Sequence, residues 1–474
     1  MTELIRSTPS AENTNARAIG RFIDAVSAND KLELHGIAIL KNGKLIAEGA
    51  FTPYNLERPT MLFSLSKTFA ATAIGFLVQE KKLQLTDKLI DLLSDDAPDQ
   101  PGVLWHEVTV HHLLSMNTGQ VIEPEIFSDE PGATARFFDQ PIIHTPGTHF
   151  LYNTAATYML SAIVQKITGD RLRDYLMPRL FAPLGIDEPF WQQIDGIDAG
   201  GFGLMLKPLD IAKFGQFCLN RGTWNGERLL DSNWFDKAFR VYSDNGATGG
   251  KADWGAGYGY QCWRCEPGCW RGDGAFGQYC VILPEQNAVV AITAGLSDMQ
   301  AVLTILWREL LPGLSAKGNE AADTALALQL QGLGYQAPKG RPQPEPEKDL
   351  NGKTLQLNEG ADIESLTFNF DHAGLIADCK IKGKMHQFHL GRERWVHTKF
   401  PDADRFFGTG EVADPASGAF HWADSRTLVL TLRTLNTPFV VSLRIVVEDG
   451  KFAMAQQLNV AFGNDDQCFE GVLL

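Results

Sequence analysis

Residues 63–68 read Phe63-Ser64-Leu65-Ser66-Lys67-Thr68 and open an apolar run that continues to Gln79. Apolar residues occupy nearly every face of a helix drawn through this run, which predicts a helix buried inside the protein. Side chains three residues apart lie on one helical face, so Ser64 and Lys67 are expected to touch. A lysine amine whose pKa is lowered by burial can accept a serine proton. The motif therefore predicts Ser64 as a nucleophile with Lys67 as its base.

The same motif has an interpretation that needs no chemistry. Serine commonly caps the start of a helix, lysine is commonly solvated, and Ser-x-x-Lys arises often by chance. The motif alone does not separate the two interpretations, so the decision depends on the rest of the chain.

Strand patterns flank a long region of helices and loops. After an expected helix over 15–28, two apolar stretches surround Asn42-Gly43, a strong signal for a hairpin over 34–51. Strand patterns return at 257–264, 277–283 and 288–293, and a helix is expected over 298–311. Strands at both ends with helices between them favour an α+β domain whose termini meet in one sheet.

The composition changes after residue 335. The stretch 336–348 is rich in proline and charge, which predicts an extended, semi-rigid linker. Beyond it, 366–370, 427–432 and 439–447 are short alternating or β-branched runs typical of strands. Because 474 residues exceed what one core usually holds, we expect a first domain at 1–335, a linker at 336–349 and an all-β domain at 350–474.

Charge and hydropathy limit the classes of partner. The formal net charge of -15 would repel phosphate backbones, so nucleic acid is not expected as a partner. No stretch reaches the roughly 18 apolar residues that span a bilayer, and the N-terminal residues lack the apolar segment of a signal peptide. Seven cysteines without a framework spacing are typical of free thiols. We therefore expect a cytoplasmic protein without a membrane partner.

Two patterns resemble metal sites. Cys262, Cys265 and Cys269 can offer three ligands to zinc, but a fourth ligand is lacking nearby, so unpaired thiols are the favoured interpretation. His106 and His111 frame a segment similar to His-Glu-x-x-His, yet the second histidine is one position too late to share a helical face. Motifs for α/β-hydrolases, nucleotides and dinucleotides do not occur. No metal or organic cofactor is expected.

Further segments accompany the serine motif in order and spacing. They are residues 109–119, 146–158, 167–169, 200–204, 210–215 and 220–224. With the motif itself, residues 30–310 resemble the β-lactamase-related serine hydrolases, a family that includes class C β-lactamases, penicillin-binding proteins, esterases and amide hydrolases. The resemblance implies a β-lactamase-like α/β sandwich, an antiparallel sheet flanked by helices. It also implies that Tyr152 relays a proton to and from the serine together with Lys67.

Two family boxes are altered in this chain. The family's Tyr-x-Asn reads Tyr152-Asn153-Thr154, and its third box, Lys-x-Gly or His-x-Gly, has Gly272-Asp273-Gly274 as the best match, without the cation. Arg271 or Asp273 can replace that cation only in part. The resemblance implies an oxyanion hole from the backbone N–H groups of Ser64 and Ala275. It places the following residues on the substrate side: Asn153, Thr154, Gly272, Asp273 and Gly274.

The resemblance implies a serine hydrolase that forms an acyl-enzyme with a small ester or amide and needs no cofactor. The missing cation of the third box argues against penicillin-like carboxylates and favours a carboxylesterase-like activity. A different class stays open, because the two altered boxes also fit a penicillin-binding-like or ligand-sensing protein that is acylated without turnover.

Overall fold

The computed structural model describes residues 3–128, 130–246, 252–340, 343–358, 363–400, 414–448, 450–463 and 466–474. The chain divides into two compact units. The first comprises Met1–Ala50, Pro59–Ala294 and Asp298–Gly332, and the second comprises Phe51–Arg58, Gly295–Ser297 and Leu333–Leu474. The change at residue 333 lies near the expected boundary at 335. The short segments 51–58 and 295–297, which we expected in the first domain, group with the second unit.

The first unit carries twelve α-helices among its described residues. They are α1 Ala16–Ser27, α2 Ser66–Gln79, α3 Leu89–Leu92, α4 Val110–Leu114, α5 Ala133–Phe137, α6 Thr154–Thr168, α7 Leu172–Leu176, α8 Ala182–Leu184, α9 Pro208–Leu219, α10 Ser232–Ala238, α11 Met299–Ile305 and α12 Glu320–Gln331. In the described parts of both units, none of the helices combines the length and hydropathy required to cross a bilayer.

Thirteen strands accompany these helices. They are β1 Leu32–Lys41, β2 Lys44–Ala50, β3 Thr60–Met61, β4 Phe190–Trp191, β5 Gln193–Ile194, β6 Ile197–Asp198, β7 Leu204–Leu206, β8 Thr223–Trp224, β9 Glu227–Arg228, β10 Trp263–Arg264, β11 Trp270–Gly274, β12 Gln278–Leu283 and β13 Ala288–Leu296. The main sheet has the order β10-β11-β12-β13-β1-β2. Because β13 lies beside β1, strands from both ends of the unit form one sheet, as the sequence predicted.

The sheet is covered on both faces. Every residue of β11, β12 and β13 is buried, although successive side chains of a strand point to opposite faces. The strand expected over 257–264 is shorter than predicted and consists of Trp263–Arg264 alone. Gly257 and Gln261 adopt positive φ angles of 122° and 55°, which interrupt an extended strand.

Helix α2 is buried along almost its whole length. All residues from Ser66 to Leu77 are buried, as the apolar run predicted. The Phe69 ring stacks on that of Phe214, and Gly75 lets the Trp234 ring lie against the helix backbone, since a Cβ there would be 2.7 Å from the ring. The start differs from the prediction, because residues Phe63–Leu65 form a separate 3₁₀ turn.

The second unit is an all-β barrel preceded by a helix. Its strands are β14 Thr354–Leu357, β15 Ile363–Phe370, β16 Gly374–Ile381, β17 Lys384–Arg392, β18 Val396–Phe400, β19 Asp414–Trp422, β20 Thr427–Thr434, β21 Val440–Glu448, β22 Lys451–Leu458 and β23 Gln467–Leu473. They follow the order β17-β16-β15-β14-β23-β22-β21-β20-β19-β18, and a parallel pairing of β17 with β19 closes the sheet.

The linker prediction requires a correction. Residues 341–342 lie outside the described part, but α13 Pro344–Leu350 is a helix where we expected extended chain. Proline is well suited to the first turn of a helix because its missing N–H is not needed there. Glu347 on this helix forms an ion pair with Arg392 of β17, so tertiary contacts favour the helix.

Candidate active site

Ser64 lies in the 3₁₀ turn that leads into α2. Its side chain is half-buried, whereas both neighbours in the turn are buried, so Ser64 is the residue of the turn that meets solvent. Phe63 adopts a positive φ of 47°, and its ring packs edge-on against Phe276. A strained backbone angle of this kind persists only where the surroundings hold it. The turn therefore fixes the position of Ser64.

Lys67 faces Ser64 from the first turn of α2. Its Nζ donates to Ser64 Oγ at 3.0 Å, to the Gly201 carbonyl at 2.8 Å and to Thr154 Oγ1 at 3.3 Å. The side chain is buried, with 1% of the residue exposed. Burial lowers the pKa of Lys67 to about 7, although the charges of Glu123 and Asp273 act in the opposite direction. The amine is thus partly neutral near neutral pH and able to accept a proton.

Tyr152 completes the group around Ser64. Its ring is stacked on Trp263 at 5.2 Å between centroids, and Lys67 Nζ lies 4.9 Å from the centre of the Tyr152 ring. The Tyr152 hydroxyl is hydrogen-bonded to Ser64. Burial, followed by the charge of Asp273, raises the pKa of Tyr152 well above its usual value. The phenol therefore stays protonated, and the structure brings together all three side chains that the sequence predicted as catalytic.

Asn153 and Thr154 have different positions. Asn153 is fully buried and caps α6, where its Oδ1 accepts from the Ala156 N–H at 2.9 Å and its Nδ2 donates to Gln120. This side chain is occupied by the cap and does not line the substrate side, which corrects our expectation. Thr154 does contact Lys67, and its backbone N–H donates to the carboxylate of Glu123.

The two glycines of the third box serve the packing of the nucleophile segment. A Cβ at Gly272 would lie 2.5 Å from Leu65 Cδ1, and one at Gly274 would lie 2.0 Å from the Leu62 carbonyl oxygen. Both glycines therefore permit the close approach of β11 to the segment that carries Ser64. A side chain at position 272 would require the Leu65 and Thr68 side chains to shift.

Asp273 and Arg271 form an ion pair next to these glycines. Arg271 Nε donates to Asp273 Oδ2 at 2.8 Å, and the two side chains are 0% and 5% exposed. Burial raises the pKa of Asp273, while the Arg271 charge acts against that rise. Arg271 also packs over the Trp254 ring at 4.5 Å. The guanidinium is thus committed to Asp273 and does not replace the missing cation of the third box.

Ala275 follows Gly274 in the short loop between β11 and β12. The neighbours of Ala275 contact those of Ser64, since Gly274 lies against Leu62 and the Phe276 ring packs on Phe63. Buried Gln278 donates to the Ala275 carbonyl at 3.2 Å and to the Ala294 carbonyl at 2.7 Å. These contacts bring the loop that carries Ala275 against the segment that carries Ser64, and the oxyanion-hole role of the two residues stays a prediction.

Several contributors to the site were not predicted. The Gly201 carbonyl, Glu123 and Gln278 all contact predicted residues or their loops. Gly201 lies in the glycine-rich stretch 200–204 that carries part of the family resemblance, which was the one available signal. Glu123 and Gln278 each lie four residues beyond a motif, after residue 119 and after Gly274, where no sequence pattern marks them.

The two sequence patterns that resemble metal sites do not form a metal-binding group in the described part of the chain. Within the described residues, no three His, Cys, Asp or Glu side chains gather as a metal-binding group. His111 Nδ1 bonds the Tyr260 hydroxyl at 2.7 Å, and Cys262 Sγ contacts the Ala238 carbonyl, while Cys265 lies beside Arg271.

Comparison with known proteins identifies the family. The sequence profile of the Beta-lactamase family matches residues 21–304. The 6-aminohexanoate-dimer hydrolase of Paenarthrobacter ureafaciens is 22% identical over 311 residues, which cover 60% of this chain and 78% of that protein.

Two solved structures share the fold. A penicillin-binding protein homologue from Caulobacter crescentus aligns with a TM-score of 0.50 at 16% identity, over 68% of this chain and 99% of that one. A family VIII carboxylesterase aligns with a TM-score of 0.51 at 15% identity, over 65% of this chain and 99% of that one. The chain therefore belongs to the Beta-lactamase family, a hydrolase family that includes esterases and amidases.

Proposed function

We propose that this protein is a serine hydrolase that cleaves small esters or amides through an acyl-enzyme, with Ser64 as the nucleophile. The observation that carries the proposal is the 3.0 Å contact between Lys67 Nζ and Ser64 Oγ, made by an amine whose pKa burial lowers to about 7. A lysine that is neutral at working pH is a competent base for a serine hydroxyl.

In this mechanism neutral Lys67 accepts the proton of Ser64 while Oγ attacks the substrate carbonyl. Tyr152 keeps its own proton, because its raised pKa disfavours a phenolate, and it acts as a hydrogen-bond donor beside Ser64. The Tyr152 hydroxyl can then pass a proton to the leaving group as Lys67 restores it. Water, activated by Lys67 in the second half-reaction, releases the acyl group from Ser64.

The backbone N–H groups of Ser64 and Ala275 are proposed to bind the oxyanion. A donor of this kind contributes about 3–4 kcal/mol to the transition state. The contacts of Gly274 with Leu62 and of Gln278 with the Ala275 carbonyl support this role, since they fix the loop before a substrate arrives.

Charges around the site favour an uncharged acyl group as substrate. Arg271 is neutralised by Asp273, and the exposed carboxylate of Glu123 lies at the backbone N–H of Thr154, next to Lys67. A substrate carboxylate would be repelled by this negative charge. The half-buried ring of Tyr152 and the buried ring of Trp263 supply an apolar wall for an acyl chain.

The proposal includes a cytoplasmic location and no nucleic-acid partner. All seven cysteines carry free thiols, as is typical of a reducing compartment. The acidic composition, with a formal charge of -15, disfavours binding to phosphate backbones.

Turnover of p-nitrophenyl butyrate tests the proposal. Steady release of p-nitrophenol, lost in Ser64→Ala together with labelling by a fluorophosphonate probe, is the expected result. Ser66→Ala serves as the matched control for labelling, although Ser66 also bonds the backbone of Leu204. A single stoichiometric burst without turnover would instead support the ligand-sensing alternative and reject the hydrolase.

A further inference from the structure

We propose that Cys265 and Cys269 are a redox-active thiol pair, reversibly oxidised to a disulfide, and that Arg271 transmits the state of this pair to the active site. The two cysteines lie at the end of the β10–β11 hairpin and take no part in the hydrolytic mechanism. They include two of the three residues whose spacing had suggested zinc.

The backbone geometry suits a disulfide. In the hairpin Trp263 pairs with Arg271 and Arg264 with Trp270, so Cys265 lies directly opposite Cys269. The Cys265 N–H donates to the Cys269 carbonyl at 2.9 Å. The Cys265 carbonyl accepts from the Gly268 N–H at 2.9 Å, so the two cysteines share one backbone hydrogen bond where the turn of the hairpin begins. Opposed residues of neighbouring antiparallel strands have Cα atoms about 4.5–5.5 Å apart, within the range of roughly 4.4–6.8 Å that disulfides span. Their side chains share one face of the sheet, so a bond between them requires little backbone movement.

The two thiols differ in acidity, as an attacking and a resolving cysteine do. Arg271 Nη1 donates to Cys265 Sγ at 3.3 Å, and the Cys269 thiol is hydrogen-bonded to Cys265. Although burial opposes it, these two contacts lower the pKa of Cys265. The pKa of Cys269 is raised, first by its bond to Cys265 and then by burial. A thiolate beside an arginine is the reactive form of cysteine.

Cys262 provides a contrast within the same segment. It is buried, its Sγ contacts the Ala238 carbonyl, and burial raises its pKa. The charge of Arg271 acts against this rise, but burial prevails, and Arg271 donates its hydrogen bond to Cys265. A buried cysteine with a raised pKa is inert. A cysteine is therefore not reactive merely because it lies in this segment. Cys265 differs from Cys262 in its hydrogen bond with Arg271.

Arg271 connects the thiol pair with the active site. The same guanidinium that reaches Cys265 through Nη1 holds the Asp273 carboxylate through Nε. Trp263, two residues before Cys265, is stacked on Tyr152 and hydrogen-bonded to Asp273. Oxidation turns Cys265 Sγ into a disulfide sulfur, which is a poorer acceptor for Arg271 Nη1, and it links the end of β10 that carries Trp263 to Cys269. We expect ester hydrolysis to fall several-fold in the oxidised protein.

Hydrogen peroxide is the class of oxidant that the chemistry requires. The Cys265 thiolate attacks the O–O bond, forms an S–O bond and releases hydroxide, which leaves as water after protonation. The Cys269 sulfur then displaces the second oxygen from Cys265 as water, and the S–S bond forms. Two thiols are oxidised while one peroxide is reduced to two waters.

The experiment uses the full chain with Cys468→Ser, which removes the exposed cysteine. After titration with hydrogen peroxide, intact mass, peptide mapping, tryptophan fluorescence and p-nitrophenyl butyrate turnover are compared before and after dithiothreitol. We expect the loss of two hydrogens, a mapped Cys265–Cys269 bridge, changed fluorescence and a several-fold, reversible fall in turnover. Cys262→Ser should behave in the same way.

Cys265→Ser and Cys269→Ser should each prevent the bridge and give turnover that resists peroxide. If one of these two variants fails to fold, the other still provides the comparison with the parent protein. Peptide mapping of the Cys265–Cys269 bridge in the parent requires neither variant. Oxidation that yields no Cys265–Cys269 bridge would overturn the proposal. A bridge that leaves both fluorescence and turnover unchanged would overturn the transmission through Arg271. Intact mass and tryptophan fluorescence do not depend on ester hydrolysis. The bridge can therefore be tested even if the protein does not hydrolyse p-nitrophenyl butyrate, and a failure of the proposed function is distinguished from a failure of this inference.

Discussion

Lys67 and Arg271 are two cations buried to the same degree, yet their surroundings give them opposite chemistry. Lys67 is surrounded by two hydroxyl groups and a carbonyl, and burial lowers its pKa to about 7. Arg271 is paired with Asp273 at 2.8 Å, and its pKa is raised even though burial opposes this. Removing a cation from water thus creates a base where no carboxylate is paired with it. A guanidinium stays charged in proteins in any case, and its pairing with Asp273 makes Arg271 a structural element.

Removal of the Lys67 amine should have the largest effect on activity. We expect Lys67→Ala to lower kcat/KM for p-nitrophenyl butyrate by about 10²–10⁴-fold, the usual contribution of a general base. Stability should not fall, because the burial of an amine without a carboxylate partner is itself costly. The exposed Lys166→Ala is the control for loss of a lysine elsewhere. Retention of most of the activity in Lys67→Ala would mean that another group is the base.

Breaking the Arg271–Asp273 pair should affect stability first. Asp273→Asn leaves a charged guanidinium buried without its partner, which costs roughly 3–5 kcal/mol of unfolding free energy. Chemical denaturation of the variant measures this loss. The double variant Arg271→Met with Asp273→Asn should recover part of it, because no unpaired charge remains buried. A fully stable Asp273→Asn would show that the pair is not what holds Arg271 in place.

The pH profile distinguishes the two cations without any substitution. Lys67 must be neutral to accept the Ser64 proton, so kcat/KM should rise with pH and level off above about 7. Below that pKa the rate should fall about tenfold per pH unit, as the neutral fraction does. Arg271 stays charged over this whole pH range and therefore does not change the shape of the pH profile. A profile flat from pH 5 to 8 would contradict the role of Lys67.

The same pKa makes a prediction for stability. The folded-state pKa of Lys67 lies below its ordinary value of 10.5, so the unfolded chain binds more protons between about 7 and 10.5. The contribution of Lys67 to the free energy of unfolding therefore increases with pH across this window. The free energy of unfolding, measured with urea at pH 7 and pH 9, should rise less between these pH values in a Lys67→Met variant than in the parent protein.

Substrate charge should give the smallest effect. We expect p-nitrophenyl butyrate to be preferred over its acyl-carboxylate analogue, p-nitrophenyl hemisuccinate, and over nitrocefin. Glu123→Gln should reduce the ratio of kcat/KM for p-nitrophenyl butyrate to kcat/KM for p-nitrophenyl hemisuccinate by about three- to tenfold, because it removes one partly screened charge. Glu125→Gln is a matched control, since this exposed carboxylate bonds only the nearby Phe127 N–H in the hydrogen bonds of the described chain. Equal kcat/KM values for both esters in the parent would contradict the charge argument.

Local patterns in the sequence were sufficient for several features. The apolar run after residue 63 predicted the buried helix from its periodicity. The spacing of three predicted the Ser64–Lys67 contact, which forms although Ser64 lies in the 3₁₀ turn before α2. The strand patterns at either end predicted a single sheet, and the β-branched runs after residue 350 predicted the second, all-β unit. These features depend on neighbours within a few residues along the chain, where a sequence is most informative.

The remaining features depended on the tertiary structure. Lys67 owes its low pKa to burial, and its position to hydrogen bonds with Thr154 and Gly201, 87 and 134 residues away, which no local pattern brings together. The use of Asn153 as a helix cap and the approach of α2 to the third-box glycines are likewise matters of packing. Sequence periodicity determined which residues share a face of a helix or strand. Only the folded chain decided which charges lost their water and which found a partner, because desolvation and pairing act between distant segments.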